Sequence, residues 1–276
     1  MPELPEVETA RRTLESFSVG NRIVRAKAEA SRLLRELSPA AFARGLEGRK
    51  VLGALRRGKQ LLLILEEDQA LGVHLGMTGK ILGRPRGASA PPYSRAFLEL
   101  EGGSRLHFIS RRLFGQLLLG SPREVQARTG WHDLGPDPLS DGLSAATLRE
   151  ALGESRQPVK VRLMDQRVIA GLGNIQAGEA LFRSRIDPRK PAGALDRGEH
   201  ARLVRAIHRS LTHTLEHLDP TEARYLADAG ETENPFLVYG REGEPCPRCK
   251  TTLVRFMLGG RVTFACPGCQ SSPGNA

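Results

Sequence analysis

Met1-Pro2-Glu3-Leu4-Pro5-Glu6-Val7-Glu8-Thr9 opens the chain, with three acids and two prolines in nine residues. An initiator Met before a small residue is normally trimmed, which leaves Pro2 with a free secondary amine. An α-amino group titrates at roughly 7.7–8.0, so an appreciable share is unprotonated near neutrality. Such an amine is a nucleophile towards carbonyl-like carbon and can form a Schiff base. Glu3 stands beside it as a proton donor. The same letters also read as a loose tail with Pro5 at a helix start, a favoured place for proline. From Pro5 to Phe17, Val7, Ala10, Leu14 and Phe17 recur at spacings of three and four. That apolar stripe predicts a helix ended by Gly20. The helix would tie the terminus to a packed element.

Working outward, 276 residues suffice for two domains and a sizeable core. Lys and Arg number 41 against 31 Asp and Glu, a formal charge of +10. That excess is the footprint of a polyanion partner, usually nucleic acid, although a merely basic protein shares it. No run of 18 apolar residues exists to span a membrane, and the acidic N-terminus lacks the apolar core of a signal peptide. A cytoplasmic or nucleic-acid-containing compartment follows.

Between Asn21 and Leu119 short apolar runs alternate with turn signals such as Arg57-Gly58 and Glu101-Gly102-Gly103-Ser104. Seven strands are predicted there, with a small helix over Ser38–Leu46, and their spacing suggests a sandwich or barrel. Ser121–Leu143 is dense in Pro and Gly and reads as a domain linker. Helices are predicted over Leu143–Leu152, Val159–Val168, Gln176–Arg183 and Arg197–Leu218. Short strands around the cysteines and a Ser/Gly-containing tail complete the chain.

All four cysteines fall in the last 31 residues. Cys246-x2-Cys249, sixteen residues, then Cys266-x2-Cys269 is zinc-ribbon spacing; two unrelated Cys pairs are the alternative. Four thiolates fill a tetrahedral site and leave no open position, so one structural Zn2+ is expected. Leu253–Met257 and Arg261–Ala265 can form a hairpin between the knuckles, with Gly259-Gly260 at its turn and Arg255 and Arg261 projecting. Upstream, Gly171-x-Gly173-Asn174 before a helix can open N-terminal amides to an anion, or serve only as a tight interhelix turn. Lys59 at a strand start reads alone as a solvated end. Phe114 alone could be a core aromatic, and His74 is taken as a satisfied strand-end histidine. Met77 on the Gly-flanked loop His74-Leu75-Gly76-Met77-Thr78-Gly79 is too exposed for an ordinary core residue, and can wedge into a base stack.

MPELPEVET closely resembles the N-terminus of the formamidopyrimidine-DNA glycosylase family, which also includes the endonuclease VIII-like enzymes. His74–Gly79, Ser110–Gly115, Arg156–Leu181 and the cysteine ribbon resemble that family's motifs, in its order along nearly the whole chain. The resemblance implies an α+β multidomain protein. An N-terminal helix with an antiparallel β-sandwich would occupy 1–125, a helix–two-turn–helix domain 143–233 and a zinc ribbon 234–272. It implies a bifunctional DNA glycosylase and apurinic/apyrimidinic-site lyase of base-excision repair. Ring-opened or oxidised purines would leave duplex DNA through a Pro2 Schiff base and β- and δ-elimination. By the same match Pro2 is the nucleophile and Glu3 the acid. Lys59 reaches the lesion's deoxyribose and phosphate, and Arg261 contacts DNA and serves the second elimination. Met77, Arg112 and Phe114 fill the hole left by the extruded nucleotide. Arg156, Lys160 and Asn174 meet phosphates. Glu6 helps hold the active-site end, or compensates the helix dipole. The partner is double-stranded DNA carrying a damaged base or abasic site. A monomer in the bacterial cytoplasm, associated with the nucleoid, is expected.

Four departures stand out. Ser110 occupies the place of the family's Asp, which puts one supporting hydrogen bond in question. Gln176 replaces a Tyr, a change expected to alter packing more than chemistry. Pro92-Tyr93-Ser94-Arg95 replaces a histidine-bearing stretch, with Arg95 as the stand-in phosphate contact. The loop 227–235 is short and acidic, which puts 8-oxoguanine recognition in question. An endonuclease VIII-like range of oxidised pyrimidines, or a non-catalytic zinc-containing DNA-binding protein, are the alternative readings.

Overall fold

The computed structural model describes residues 1–35, 37–219 and 234–270. They form two compact units, one of residues 1–133 with 218–219 and one of 134–217 with 234–270. The acidic loop 227–235, apart from Asn234 and Pro235, and the tail after Gln270 lie outside the described residues.

The first unit begins with α1 (Leu4–Ser18), β1 (Ile23–Ala28) and α2 (Pro39–Leu46). There follow β2 (Val51–Arg57), β3 (Gln60–Leu65), β4 (Gln69–His74), β5 (Lys80–Arg84), β6 (Ser94–Leu100), β7 (Arg105–Ile109) and β8 (Gln116–Gly120). The strands make two antiparallel four-stranded sheets, ordered β1-β6-β7-β5 and β2-β3-β4-β8. Their inner faces meet in one core that includes Leu61, Leu63, Val73, Leu98 and Phe108. Val7, Ala10 and Leu14, the predicted stripe of α1, join that core. Fully burying a side chain such as Val7 or Leu14 contributes about 1.5–3 kcal/mol, so the N-terminus is anchored by packing.

β3 is apolar on both faces because its outer face is also covered. Leu62, Ala70 and Leu118 there pack with Val125 of α3 (Pro122–Thr129). This corrects the linker expectation for Ser121–Leu143. Ser121 and Glu124 form a capping box, Pro122 sits in the first turn, and Gly130 is left-handed at the C-cap. The breakers are helix punctuation. β5 is the one strand of the sandwich not predicted; it has only Ile81 and Leu82 as an apolar signal between Gly79 and Gly83.

The second unit holds α4 (Ala145–Leu152), α5 (Val159–Met164), α6 (Asn174–Ser184) and α7 (Arg197–Glu216), then the hairpin β9 (Val254–Leu258) and β10 (Arg261–Ala265). Gln176 is buried between α6 and α7: its Nε2 donates to Thr214 Oγ1 at 2.8 Å and its Oε1 accepts from Ser210 Oγ at 2.7 Å. The ribbon was expected as a separate domain, but it is fastened to α6. The buried Glu179 carboxylate accepts the backbone N–H groups of Leu237, Val238 and Tyr239 at 2.9–3.1 Å. Phe182 packs with Val238, Cys246, Leu253 and Cys266. Hydrogen bonds to an ionised acceptor are the stronger kind, so this junction behaves as one body.

Candidate active site and nucleic-acid interface

Pro2 and Glu3 are buried while Met1 is exposed. Glu3 is the N-cap of α1 and forms a capping box with Glu6; the Glu3 N–H donates to Glu6 Oε2 at 2.9 Å. Burial, and then the neighbouring Glu3 carboxylate, push the Glu6 carboxyl up to about 7. Glu6 is therefore a buried carboxyl close to Glu3 that changes its proton near neutral pH, which suits proton transfer there.

The next acid on α1 fixes the turn that carries Lys59. Arg56, its side chain 2% exposed, donates from Nε to Glu8 Oε2 at 2.9 Å and from Nη1 to Gly58 O at 3.2 Å. Burial works against the Glu8 charge, yet hydrogen bonds from Arg11 and Arg56 outweigh it and hold the carboxyl below its ordinary value. The Glu8–Arg56 pair was missed in the sequence, where nothing local links the two residues. Lys59 is half-buried. Burial, then the Lys59 charge, lower the His74 pKa, so the Lys59 ammonium lies near the His74 ring. His74 Nδ1 accepts the Gly76 N–H at 3.1 Å. The neutral ring therefore carries its proton on Nε2 as a donor.

Two loops carry the residues expected to form the wedge. Met77 is 40% and Phe114 47% exposed, large values for such side chains. The Arg112 guanidinium lies over the Phe114 ring at 5.0 Å, and the Arg112 N–H meets Thr78 Oγ1 at 3.3 Å. Gly76 has φ +65°, and a Cβ there would stand 2.3 Å from Phe114 O, so only glycine permits the approach. Ser110 Oγ accepts the Leu113 N–H at 3.1 Å and so supports the loop from within. Arg95 differs from expectation. It is ion-paired with Glu29 at 2.9 Å and donates to Ser110 O at 3.0 Å, so its charge is already committed.

On the second unit, Asn174 stands at the start of α6, behind the turn Gly171–Gly173. Gln166 shapes that turn by donating to Met164 O and Leu172 O and accepting the Gly171 N–H. Lys160 is not a surface residue, which corrects its reading as a phosphate contact. It is 1% exposed, and its Nζ donates to Asn174 Oδ1 at 2.8 Å, Thr263 Oγ1 at 2.8 Å and Val262 O at 3.1 Å. The ammonium's three donors are spent inside the protein. Arg156 and Arg261 are exposed. Gly259 and Gly260 both have positive φ, the two-residue turn suited to a tight hairpin. A Cβ on Gly259 would stand 2.6 Å from Val161, so the hairpin tip rests on α5. Lys160 therefore holds Asn174 and the strand of Arg261 together.

The four cysteine sulfurs lie within 4.8 Å of one another. Tetrahedral thiolate ligands about 2.3 Å from a zinc ion would be spaced close to the 3.4 and 3.9 Å seen for Cys249–Cys266 and Cys246–Cys269. The Arg248 and Cys269 N–H groups point at Cys246 and Cys266 Sγ, as at metal-binding knuckles. The donor set fits one structural zinc. Among the described residues no helix is long and apolar enough to cross a membrane.

A buried Pro2–Glu3 terminus, Met77 and Phe114 exposed on two loops, and a helical unit fastened to a four-cysteine ribbon are the features of a DNA glycosylase with lyase activity, a base-excision-repair enzyme. The profile of the formamidopyrimidine-DNA glycosylase N-terminal domain matches residues 1–117, that of its H2TH domain 134–223, and a zinc finger found in FPG and IleRS 243–271. The formamidopyrimidine-DNA glycosylase of Moorella thermoacetica is 41% identical over 92% of this chain and 94% of its own. MutM (Fpg) of Thermus thermophilus superposes with a TM-score of 0.81 at 37% identity, covering 98% and 99% of the two chains. Lactococcus lactis Fpg in complex with abasic-site DNA gives 0.85 at 30% identity, covering 98% and 100%. The chain belongs to the formamidopyrimidine-DNA glycosylase family.

Proposed function

We propose that the chain removes ring-opened or oxidised purines from duplex DNA, with Pro2 as nucleophile. The Pro2 nitrogen attacks C1′ of an extruded nucleotide and the damaged base departs. Glu3 protonates the opening sugar, and Glu6, with its raised affinity for protons, keeps a reserve beside it. The imine acidifies C2′, so β- and then δ-elimination break the strand. Lys59 supplies charge at the sugar and phosphate, and Arg261 assists the second elimination. Asn174 and Arg156 hold phosphates, contacts that position the duplex without reading sequence. Met77, Arg112 and Phe114 fill the gap and stack on the orphaned base. The bacterial nucleoid is the compartment where such a substrate occurs.

The observation that carries this reading is the buried Pro2 beside the Glu3–Glu6 capping box. Duplexes carrying one formamidopyrimidine, 8-oxoguanine or dihydrothymine test the substrate range side by side. The purine lesions should be released faster, leaving phosphates at both ends of the gap. Faster release of dihydrothymine would assign the oxidised-pyrimidine range instead, and no release from any duplex would leave a DNA-binding protein.

A further inference from the structure

In the second unit the first turns of α4 and α7 border a cavity of about 400 Å³. Ala145, Ala146 and Arg149 line it from α4, and Arg197 and His200 from α7. Residues three and four apart on a helix share a face, so each helix turns one face to the cavity. The volume is in the range of small-molecule sites, roughly 300–1,000 Å³.

Four donor groups converge on this space. Ser144 caps α4 by accepting the Thr147 N–H at 3.0 Å. The Ala145 and Ala146 N–H groups before it have no partner among the described residues. Their methyl side chains leave these first-turn amides open to an anion. A helical side chain covers the turn before its own Cα, so Arg149 leans over the two amides. Arg149 and Arg197 are exposed, and neither guanidinium has an ion pair or hydrogen bond among the described residues. His200 is a buried and independent mark of a site. It is 5% exposed, and its Nδ1 lies 2.7 Å from Asp196 O. A carbonyl only accepts, so Nδ1 carries a proton, and in the neutral ring Nε2 presents a lone pair. Nε2 has no hydrogen-bond partner among the described residues, yet it is not shut off from solvent. The ring lines the cavity, so the lone pair opens there.

We propose that this cavity binds a phosphate monoester, at a site separate from the Pro2 terminus of the first unit. Two unpaired guanidiniums match the charge of about −1.5 to −2 that such a group carries at neutral pH. A carboxylate or a phosphate diester brings only a single charge. Three terminal oxygens meet three sets of donors, which are the Arg149 fork, the Arg197 fork and the α4 amides. A monoester also titrates near neutrality, with a second pKa of about 6, so it can share a proton with His200 Nε2, and a diester has none to share. The remaining volume holds the sugar that the phosphate esterifies. The source is a free nucleotide or the phosphorylated end of a strand, with the same recognition chemistry.

The zinc-loaded full-length protein, titrated with dAMP and with a short single strand bearing a 5′-phosphate, tests this. The same strand without the phosphate, a thymidine dinucleotide without terminal phosphate, and acetate are the controls. The Ala145 and Ala146 backbone amides and the His200 ring nitrogens in 1H–15N spectra give site-resolved readouts. At least one of the two monoesters should bind saturably and shift all three residues, and the controls should leave them in place. Arg149→Gln and Arg197→Gln, both at exposed positions, should each weaken that binding about tenfold, while borohydride trapping at Pro2 is retained. The shifts are read on the unsubstituted protein, so a folding defect in a variant leaves that arm standing. Binding of dAMP but not of the phosphorylated strand marks a free-nucleotide site, and binding of the phosphorylated strand marks a strand end. The proposal is overturned if neither monoester moves the α4 amides. Equal shifts with the bare strand, the dinucleotide or acetate, or undiminished binding by both arginine variants, overturn it as well.

Discussion

Lys160 Nζ donates to Asn174 Oδ1 at 2.8 Å from a site only 1% exposed. The bond fixes the amide, with the Asn174 Nδ2 hydrogens on the side away from the Lys160 ammonium. A buried cation thus sets the direction of a neutral donor. Lys160→Met should lower stability by about 3 kcal/mol, the scale for losing a buried, fully hydrogen-bonded charge. It should weaken DNA binding with little change in the slope of log affinity against log salt. Arg156→Ala, which removes an exposed phosphate cation, should reduce that slope by about 0.9. Fluorescence anisotropy over a salt series checks both.

Glu6 makes stability depend on pH in an unusual direction. Its folded carboxyl sits at about 7 against an ordinary 4.5. Between those values the folded protein keeps a proton that the unfolded chain has released. Stability should therefore fall as pH rises from 4.5 to 7, by on the order of 3 kcal/mol, and the loss should be complete above that. Glu6→Gln keeps an oxygen to accept the Glu3 N–H and should flatten that window. Urea melts at pH 5 and pH 8 measure the difference.

Glu8 behaves in the opposite sense. Its folded carboxyl lies below the ordinary value because Arg11 and Arg56 outweigh burial. Its contribution is present above the ordinary value and is lost as pH falls through the folded one. Arg56→Met leaves Glu8 with only Arg11 and Arg12 and removes the bond to the Gly58 carbonyl in the Lys59 turn. The expected cost is about 1–2 kcal/mol, with a fall in single-turnover rate larger than the fall in DNA affinity.

Removing zinc should unfold the ribbon, because a segment of this size has little core of its own. Lys160 would then lose its Val262 and Thr263 partners, so the damage reaches Asn174. Chelation should abolish specific binding to abasic duplex, and readdition of zinc should restore it. Cobalt substitution should give the absorption of a tetrahedral four-thiolate site.

Much of this was legible in the residues. The stripe Val7–Ala10–Leu14 located α1, the cysteine spacing located the ribbon, and alternating apolar runs located seven of the eight sandwich strands. What escaped depends on long-range partners. Ser121, Pro122 and Gly130 look like linker residues until a sheet face is present for Val125 to cover. Lys160 looks like a surface cation until Thr263, a hundred residues later, folds back over it. Glu8 and Arg56 are 48 positions apart, and nothing local marks them as a buried pair. Gln176 in place of a Tyr is explained only by the two hydroxyls of α7 that it meets.

The proposed chemistry requires the Pro2 nitrogen to form the covalent bond to the sugar. Borohydride added to the zinc-loaded protein with an abasic-site duplex, followed by peptide mass mapping, tests it most directly. A single adduct on the N-terminal proline, with Met1 removed, is the predicted result, and Pro2→Gly should trap far less. No adduct with the unsubstituted protein, an adduct on Lys59 instead, or undiminished trapping by Pro2→Gly would contradict it.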